Sequence, residues 1–403
     1  MRDCSELLDN LDRNHKEVYS FINKKANKKK DFFIGIRDKY LNIYYKCASI
    51  VRVSIVKKKP VFTTHAKYLG KDDSGLTGSE KYERISLDDL RANWSNMLAE
   101  INNIQLGQSN TKNTKSSHKR IEKVCQQWIV NEANSRDESD WYYVDLEYTM
   151  QGVPTGRFDM IAVSKKKVNG KHRVALVELK VNYSSYAGMD GSRKKQHEKE
   201  FNLILAKKDE LYNSGFELLK FGSGIVGHIA DYLRFLQKNY YNTLKQEIVN
   251  IIKCHNKLGL LNNPNLCCIR SITSVDDLAD KPEVHIVSYT KGPNNGQTND
   301  DDVTIRELKN SMYKYLFEKP IKVKGIKKTS EYCLENCING ANINGFNTLR
   351  DKLFEDKKGK KEVIHCVQDI KGEKYDFYFT FVDAARSAAW NCLPRYNKIL
   401  ITL

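Results

Sequence analysis

Glu178 and Lys180 stand two residues apart in VALVELKV (174–181), and Asp159 lies nineteen residues before Glu178 in GRFDMIAV (156–163). Both segments read as strands. Side chains alternate along a strand, so Val174, Leu176, Glu178 and Lys180 share one face of theirs. VALVELKV is otherwise apolar on both faces, the pattern of a central strand covered by helices, which leaves the two charges at its buried end. Between the segments lies Asn169-Gly170, the strongest short-range signal for a two-residue hairpin turn. With those residues at the turn, Asp159 opposes Lys180 and Glu178 lies one diagonal away on the same face. An odd loop or a single bulge would break that register.

Two carboxylates and an ammonium on one buried patch need compensation. The plain form is a salt bridge in which Lys180 pairs with both acids. The chemical form is a hard-cation site: Asp159 and Glu178 bind Mg²⁺ through oxygen, and water and a phosphate complete the octahedron. Lys180 would then orient or deprotonate the attacking water and offset charge in the transition state.

The elements around these residues must hold them in place. HKRIEKVCQQWIVNEA, from 118, has Ile121, Val124, Cys125, Trp128 and Ile129 at helical spacing, with Glu122 bordering the stripe. Strand signals follow at WYYVDLEYTM, GRFDMIAVSK and HRVALVELKV, separated by QGVPT and KKVNGK. A basic helical stretch, SRKKQHEKEFNLILAKKDELY, precedes LKFGSG and a long helix, IVGHIADYLRFLQKNYYNTLKQEIVNIIKC. VHIVSYT is a further strand. FGSG lacks the spacing of a phosphate-binding loop and reads as a turn into the helix.

Helix, three strands with Asp on the second and Glu-x-Lys on the third, then helix and strand, resembles the PD-(D/E)xK, or restriction-endonuclease-like, nucleases over about residues 118–290. The resemblance implies an α/β fold with a mixed central sheet flanked by helices. It also implies hydrolysis of phosphodiester bonds in nucleic acid, DNA ahead of RNA, with Mg²⁺ or Mn²⁺ held by Asp159, Glu178 and the Leu179 carbonyl, and Lys180 serving the water. Phe158 stands where the family name has proline, with Pro154 nearby. The upstream acid that many members carry is assigned to Glu122, with Glu132 and Glu147 as competitors. For the polar residue on the following helix, SGIVGHIAD (223–231) looks like a pattern of some stand-alone bacterial members. It favours His228 and Asp231 over Gln196 or His197 and marks 182–221 as an insertion. Bacterial restriction or anti-phage defence is the setting the resemblance suggests. A second expectation, from the binding class, is a catalytically silent nucleic-acid-binding or assembly module on the same fold.

The rest of the chain frames that domain. Residues 1–106 are expected to be β-rich, with YLNIYY and VRVSIV as a hairpin across CAS, VFTTHAKYL as a third strand and a helix near LDDLRANWSNMLAEI. Residues 107–118 form a linker or loop, the domain runs over 119–290, and 303–403 form an α+β region. A formal charge of +17 in 403 residues, with lysine runs such as KKANKKK, points to a polyanionic partner. No apolar run reaches the length of a membrane span, and the charged N-terminus is unlike a secretory signal, so a cytoplasmic chain is expected. Ten cysteines are then expected as thiols. Cys333, Cys337, His365 and Cys366 are too loosely spaced for a zinc site. Homo-oligomerisation is left open.

Overall fold

The computed structural model describes residues 1–28, 31–71, 76–105, 121–153, 156–182, 186, 224–290, 303–318, 345–355, 359–370, 372–383 and 391–394. Two compact units emerge. The first comprises Met1–Glu147, Met160–Val174 and Thr243–Asp280, and the second Tyr148–Asp159, Ala175–Asn242 and Lys281–Leu403. The chain thus passes between the units several times.

In the first unit, helices α1 (Ser5–Asn14) and α2 (Lys16–Ala26) precede five strands: β1 (Phe32–Ile36), β2 (Tyr40–Tyr45), β3 (Ala48–Val56), β4 (Lys59–His65) and β5 (Tyr82–Ile85). These pair in chain order as an antiparallel meander. The expected hairpin is present, but its turn is Lys46-Cys47, both at positive φ, and β3 begins at Ala48. The region is α+β instead of β-rich, because α1, α2 and α3 (Leu87–Gln105) add amphipathic helices. Leu90, Trp94, Met97 and Ile101 recur at helical spacing on α3 and are buried, and α3 packs against β3. Helix α4 (Ile121–Ser135) buries Cys125 and Ile129 as the sequence pattern predicts, while Val124 and Trp128 are half-buried.

The other sheet has six strands in the order β10-β11-β9-β8-β7-β6. Its members are β6 (Trp141–Thr149), β7 (Arg157–Val168), β8 (Lys171–Val181), β9 (Glu283–Tyr289), β10 (Lys361–Ile370) and β11 (Glu373–Val382). Only Asn169 and Gly170 separate β7 from β8, with φ of 50° and 78°. That is the turn the Asn-Gly pair predicts, since both central positions need positive φ. β9 runs parallel to β8 and to β11, and β10 closes the order antiparallel to β11. The sheet is therefore mixed, and the late strands expected to form a separate α+β region belong to it.

A parallel β8–β9 pair requires a long crossover. The crossover includes α5 (Ile225–Gln237) and α6 (Tyr241–Lys257), which the sequence pattern reads as one helix. They part at Asn239, whose φ is 54°, a left-handed geometry that asparagine tolerates better than most residues. Short helix α7 (Cys267–Arg270) follows, and α8 (Ile305–Tyr313) and α9 (Gly345–Lys352) come later. Among the described residues no helix is long and apolar enough to cross a membrane.

Candidate functional site

The end of β8 carries Glu178, Leu179 and Lys180 into the second unit, where β7 contributes Asp159. The Leu179 backbone N–H donates to Asp159 Oδ2 at 2.8 Å, so the Asp159 carboxylate meets the β8 backbone between Glu178 and Lys180. Glu178 is 2% exposed and Lys180 4%. Burial on that scale makes an uncompensated charge untenable. Lys180 Nζ donates to Glu178 Oε1 at 2.5 Å.

Helix α5 supplies the remaining partners. His228 and Tyr232 stand one turn apart, on the same face of the helix. Tyr232 donates its hydroxyl to Glu178 Oε2 at 2.8 Å, and His228 Nε2 lies 3.3 Å from Oε1. Tyr232 is also held through its ring. Phe158, which occupies the position before Asp159, stacks on Tyr232 at 5.2 Å and 21° and meets Phe235 edge-on at 5.0 Å. An aromatic residue before the aspartate thus positions the tyrosine that holds the glutamate.

Burial works to raise Glu178, and the opposite charges with the Lys180 and Tyr232 hydrogen bonds more than offset it, so its pKa falls below the ordinary value. Burial lowers His228 to about 4, with Glu178 pulling upward and Lys180 downward. His228 is therefore neutral near pH 7. Tyr232 is raised well above its ordinary value, first by burial and then by the charges of Glu178 and Asp159. Its hydroxyl remains a donor.

A carboxylate offers about four lone-pair positions, and Lys180, His228 and Tyr232 engage three on Glu178. The donor set of Asp159, Glu178 and the Leu179 carbonyl is all hard oxygen, which suits Mg²⁺ or Mn²⁺ in kind. Next to Lys180 are two further hydroxyls. Ser288 is its register partner on β9, and the buried Tyr186 hydroxyl interacts with Ser288 and with the charge of Lys180. Buried hydroxyls beside an ammonium suit water or an anionic oxygen. The residues thus fit a hard cation with an oxygen-rich ligand. No group of three or more His, Cys, Asp or Glu side chains among the described residues is arranged to hold a metal.

Glu122 lies in the first turn of α4. Its competitors have other partners: Glu132 bonds Arg136 at 2.7 Å, and Glu147 bonds Lys123 at 2.9 Å. Asp231 lies 3.8 Å from Arg234 on α5. Gln196 and His197, the proposed insertion apart from Asn182 and Tyr186, the 107–118 linker, and Cys333 with Cys337 lie outside the described residues. His365 is exposed and bonds Asp376 at 2.7 Å, while Cys366 beside it is buried. Adjacent strand residues point to opposite faces, so this pair does not converge on one ion.

Tyr232 was missed in the sequence. Its signal was present, since it falls four residues after His228 on an amphipathic helix, but a tyrosine at that spacing reads equally as core. No family model, curated protein or solved structure matches the chain.

Proposed function

We propose that the chain is a metal-dependent nuclease of the restriction-endonuclease-like kind, hydrolysing phosphodiester bonds of nucleic acid, DNA ahead of RNA. The observation that carries this reading is the convergence of Asp159, Glu178 and Lys180 on one peptide at the end of β8. The basic balance of the chain supports a polyanionic substrate. Asp159, Glu178 and the Leu179 carbonyl would hold the Mg²⁺ or Mn²⁺. When bound, the ion supplies Lewis acidity and lowers the pKa of its water.

Lys180 offsets the negative charge that builds on the phosphate and orients or deprotonates the attacking water. Tyr232 holds the Glu178 carboxylate by its Oε2 atom, so that Oε1 is the oxygen shared with Lys180 and His228. His228 is neutral and able to hold a water by hydrogen bond. Bacterial restriction or anti-phage defence, in a cytoplasmic setting, is the role this chemistry suits.

The same network favours a second reading. Glu178 already has Lys180, His228 and Tyr232 upon it, as it would in a catalytically silent nucleic-acid-binding or assembly module whose cluster only holds the fold. Plasmid, single-stranded DNA and RNA incubated with Mg²⁺, Mn²⁺ or EDTA separate the two. Cleavage that requires metal and falls by about 10²-fold or more in both Asp159→Ala and Lys180→Ala is the expected outcome. Cleavage indifferent to both substitutions refutes the site, and tight binding without cleavage in any metal selects the silent module.

A further inference from the structure

We propose that the outer face of the β2–β5 sheet binds single-stranded nucleic acid, stacking bases on Tyr40, Arg52 and Tyr82 and pairing phosphates with Arg84. The face follows from alternation. Leu41, Val53 and Phe62 lie on one face and are buried, so Tyr40, Arg52 and Thr63 turn to the other, which is closed at Asn42 and Tyr44 and open toward Tyr82 and Arg84. Pairing sets Arg52 opposite Thr63 and Thr63 opposite Arg84, and the next row holds His65 opposite Tyr82.

The aromatic and cationic groups interleave. The Arg52 guanidinium carbon lies 4.5 Å from the centre of the Tyr40 ring and 5.6 Å from that of Tyr82. His65 continues the run, its ring 5.2 Å from that of Tyr82. Tyr82 is 44% exposed, large for an aromatic residue on a strand. Arg52 Nε is buried and has no hydrogen-bond partner among the described residues, which leaves a donor to be satisfied.

Charge selects the ligand. The outward residues of β2–β5 include two arginines and no Asp or Glu; Glu83 is of opposite parity on β5 and bonds Lys71 at 2.6 Å. The β3–β4 turn adds Lys57 and Lys58, both exposed. A cationic surface with an exposed tyrosine ring suits an unpaired strand, whose bases can stack on it, better than a duplex, whose base faces are hidden. These residues all belong to the first unit and none is part of the Asp159 cluster, so the inference stands without the nuclease reading.

The test is fluorescence anisotropy of a labelled oligothymidylate, and of a duplex of equal length, titrated with the full chain in EDTA. Wild type should bind the single strand more tightly than the duplex. Tyr82→Ala and Arg84→Ala should each weaken single-strand binding about ten-fold, and Tyr82→Phe should stay within about two-fold, because the stacking ring survives. Arg84→Ala should also lower the slope of log Kd against log salt by about one. Unfolding midpoints recorded in parallel show whether each exposed-site variant remains folded. Binding is read in EDTA, where metal-dependent cleavage does not occur, so failure here and failure of the nuclease reading are distinguishable. No single-strand binding by wild type, tighter binding of duplex, or undiminished binding by both folded alanine variants overturns the proposal.

Discussion

Tyr232 joins two kinds of interaction that separate substitutions can pull apart. Its ring stacks on Phe158 and its hydroxyl bonds Glu178. Tyr232→Phe keeps the ring and removes the hydrogen bond, so chemical denaturation should show a loss of about 1.5–3 kcal/mol, the range for a bond to a charged group. If Tyr232 positions Glu178 for cleavage, the same variant should be slowed without being inactive. A second buried carboxylate gives the contrast. Asp145, fully buried, takes both Arg2 and Arg37, and Arg37 bonds Tyr44 at 3.0 Å as well. That cluster is closed by two guanidinium groups and has an evident structural role. The sequence singled out Asp159, Glu178 and Lys180 through their spacing and strand context. It did not reveal that Asp145 is tied to Arg2 and Arg37, because those partners lie far along the chain.

His172 sets a pH dependence of its own. It is fully buried, its Nδ1 lies 2.7 Å from the Ser164 carbonyl, and burial lowers its pKa from the ordinary 6.5. The folded state therefore binds protons less readily than the unfolded chain. Its stabilising contribution is complete above the unfolded value and is lost as pH falls below it toward the folded one. Urea midpoints measured from neutral pH downward should decline in this window, and His172→Phe should flatten the decline.

At the scale of elements, the turns tell most about what the sequence could and could not convey. Asn169-Gly170 has the residues its geometry needs, and the hairpin that brings Asp159 to β8 was legible for that reason. Lys57 and Lys58 adopt the same left-handed geometry with φ of 50° and 65° and carry Cβ atoms that resist it. No residue-type rule would place a turn there. Lys57→Asn with Lys58→Gly should raise stability by about 1 kcal/mol in thermal or urea unfolding. Gly345 shows the opposite constraint. A Cβ there would come within 2.3 Å of the Val367 carbonyl on β10. Helix α9 packs on that strand, so Gly345→Ala should destabilise by about 1–3 kcal/mol through overpacking.

At the scale of the whole molecule, the sheet overrides the order of the chain. β9 is hydrogen-bonded to β8 on one side and β11 on the other, and all seven of its residues are buried. Local pattern marks each strand as a strand, but the partner of β9 lies in a segment separated from it by the long stretch 290–372, and pairing at that distance leaves no periodic trace. A fragment ending at residue 290 would expose the β9 edge and the face that β11 covers. It should be insoluble or lack cooperative unfolding by circular dichroism, whereas the full chain should unfold cooperatively.

The parallel seat of β11 beside β9 also sets a clock. About 200 residues separate the end of β8 at Val181 from the end of β11 at Val382. At roughly 5–20 residues per second of synthesis, ~10–40 s pass between the emergence of Glu178 and the arrival of the strand that completes its sheet. During that interval the hairpin bearing Asp159 and Glu178 is made but unsupported. A ribosome-bound nascent chain halted before β11 should accordingly be cut by protease within β7–β9, and one released after it should resist.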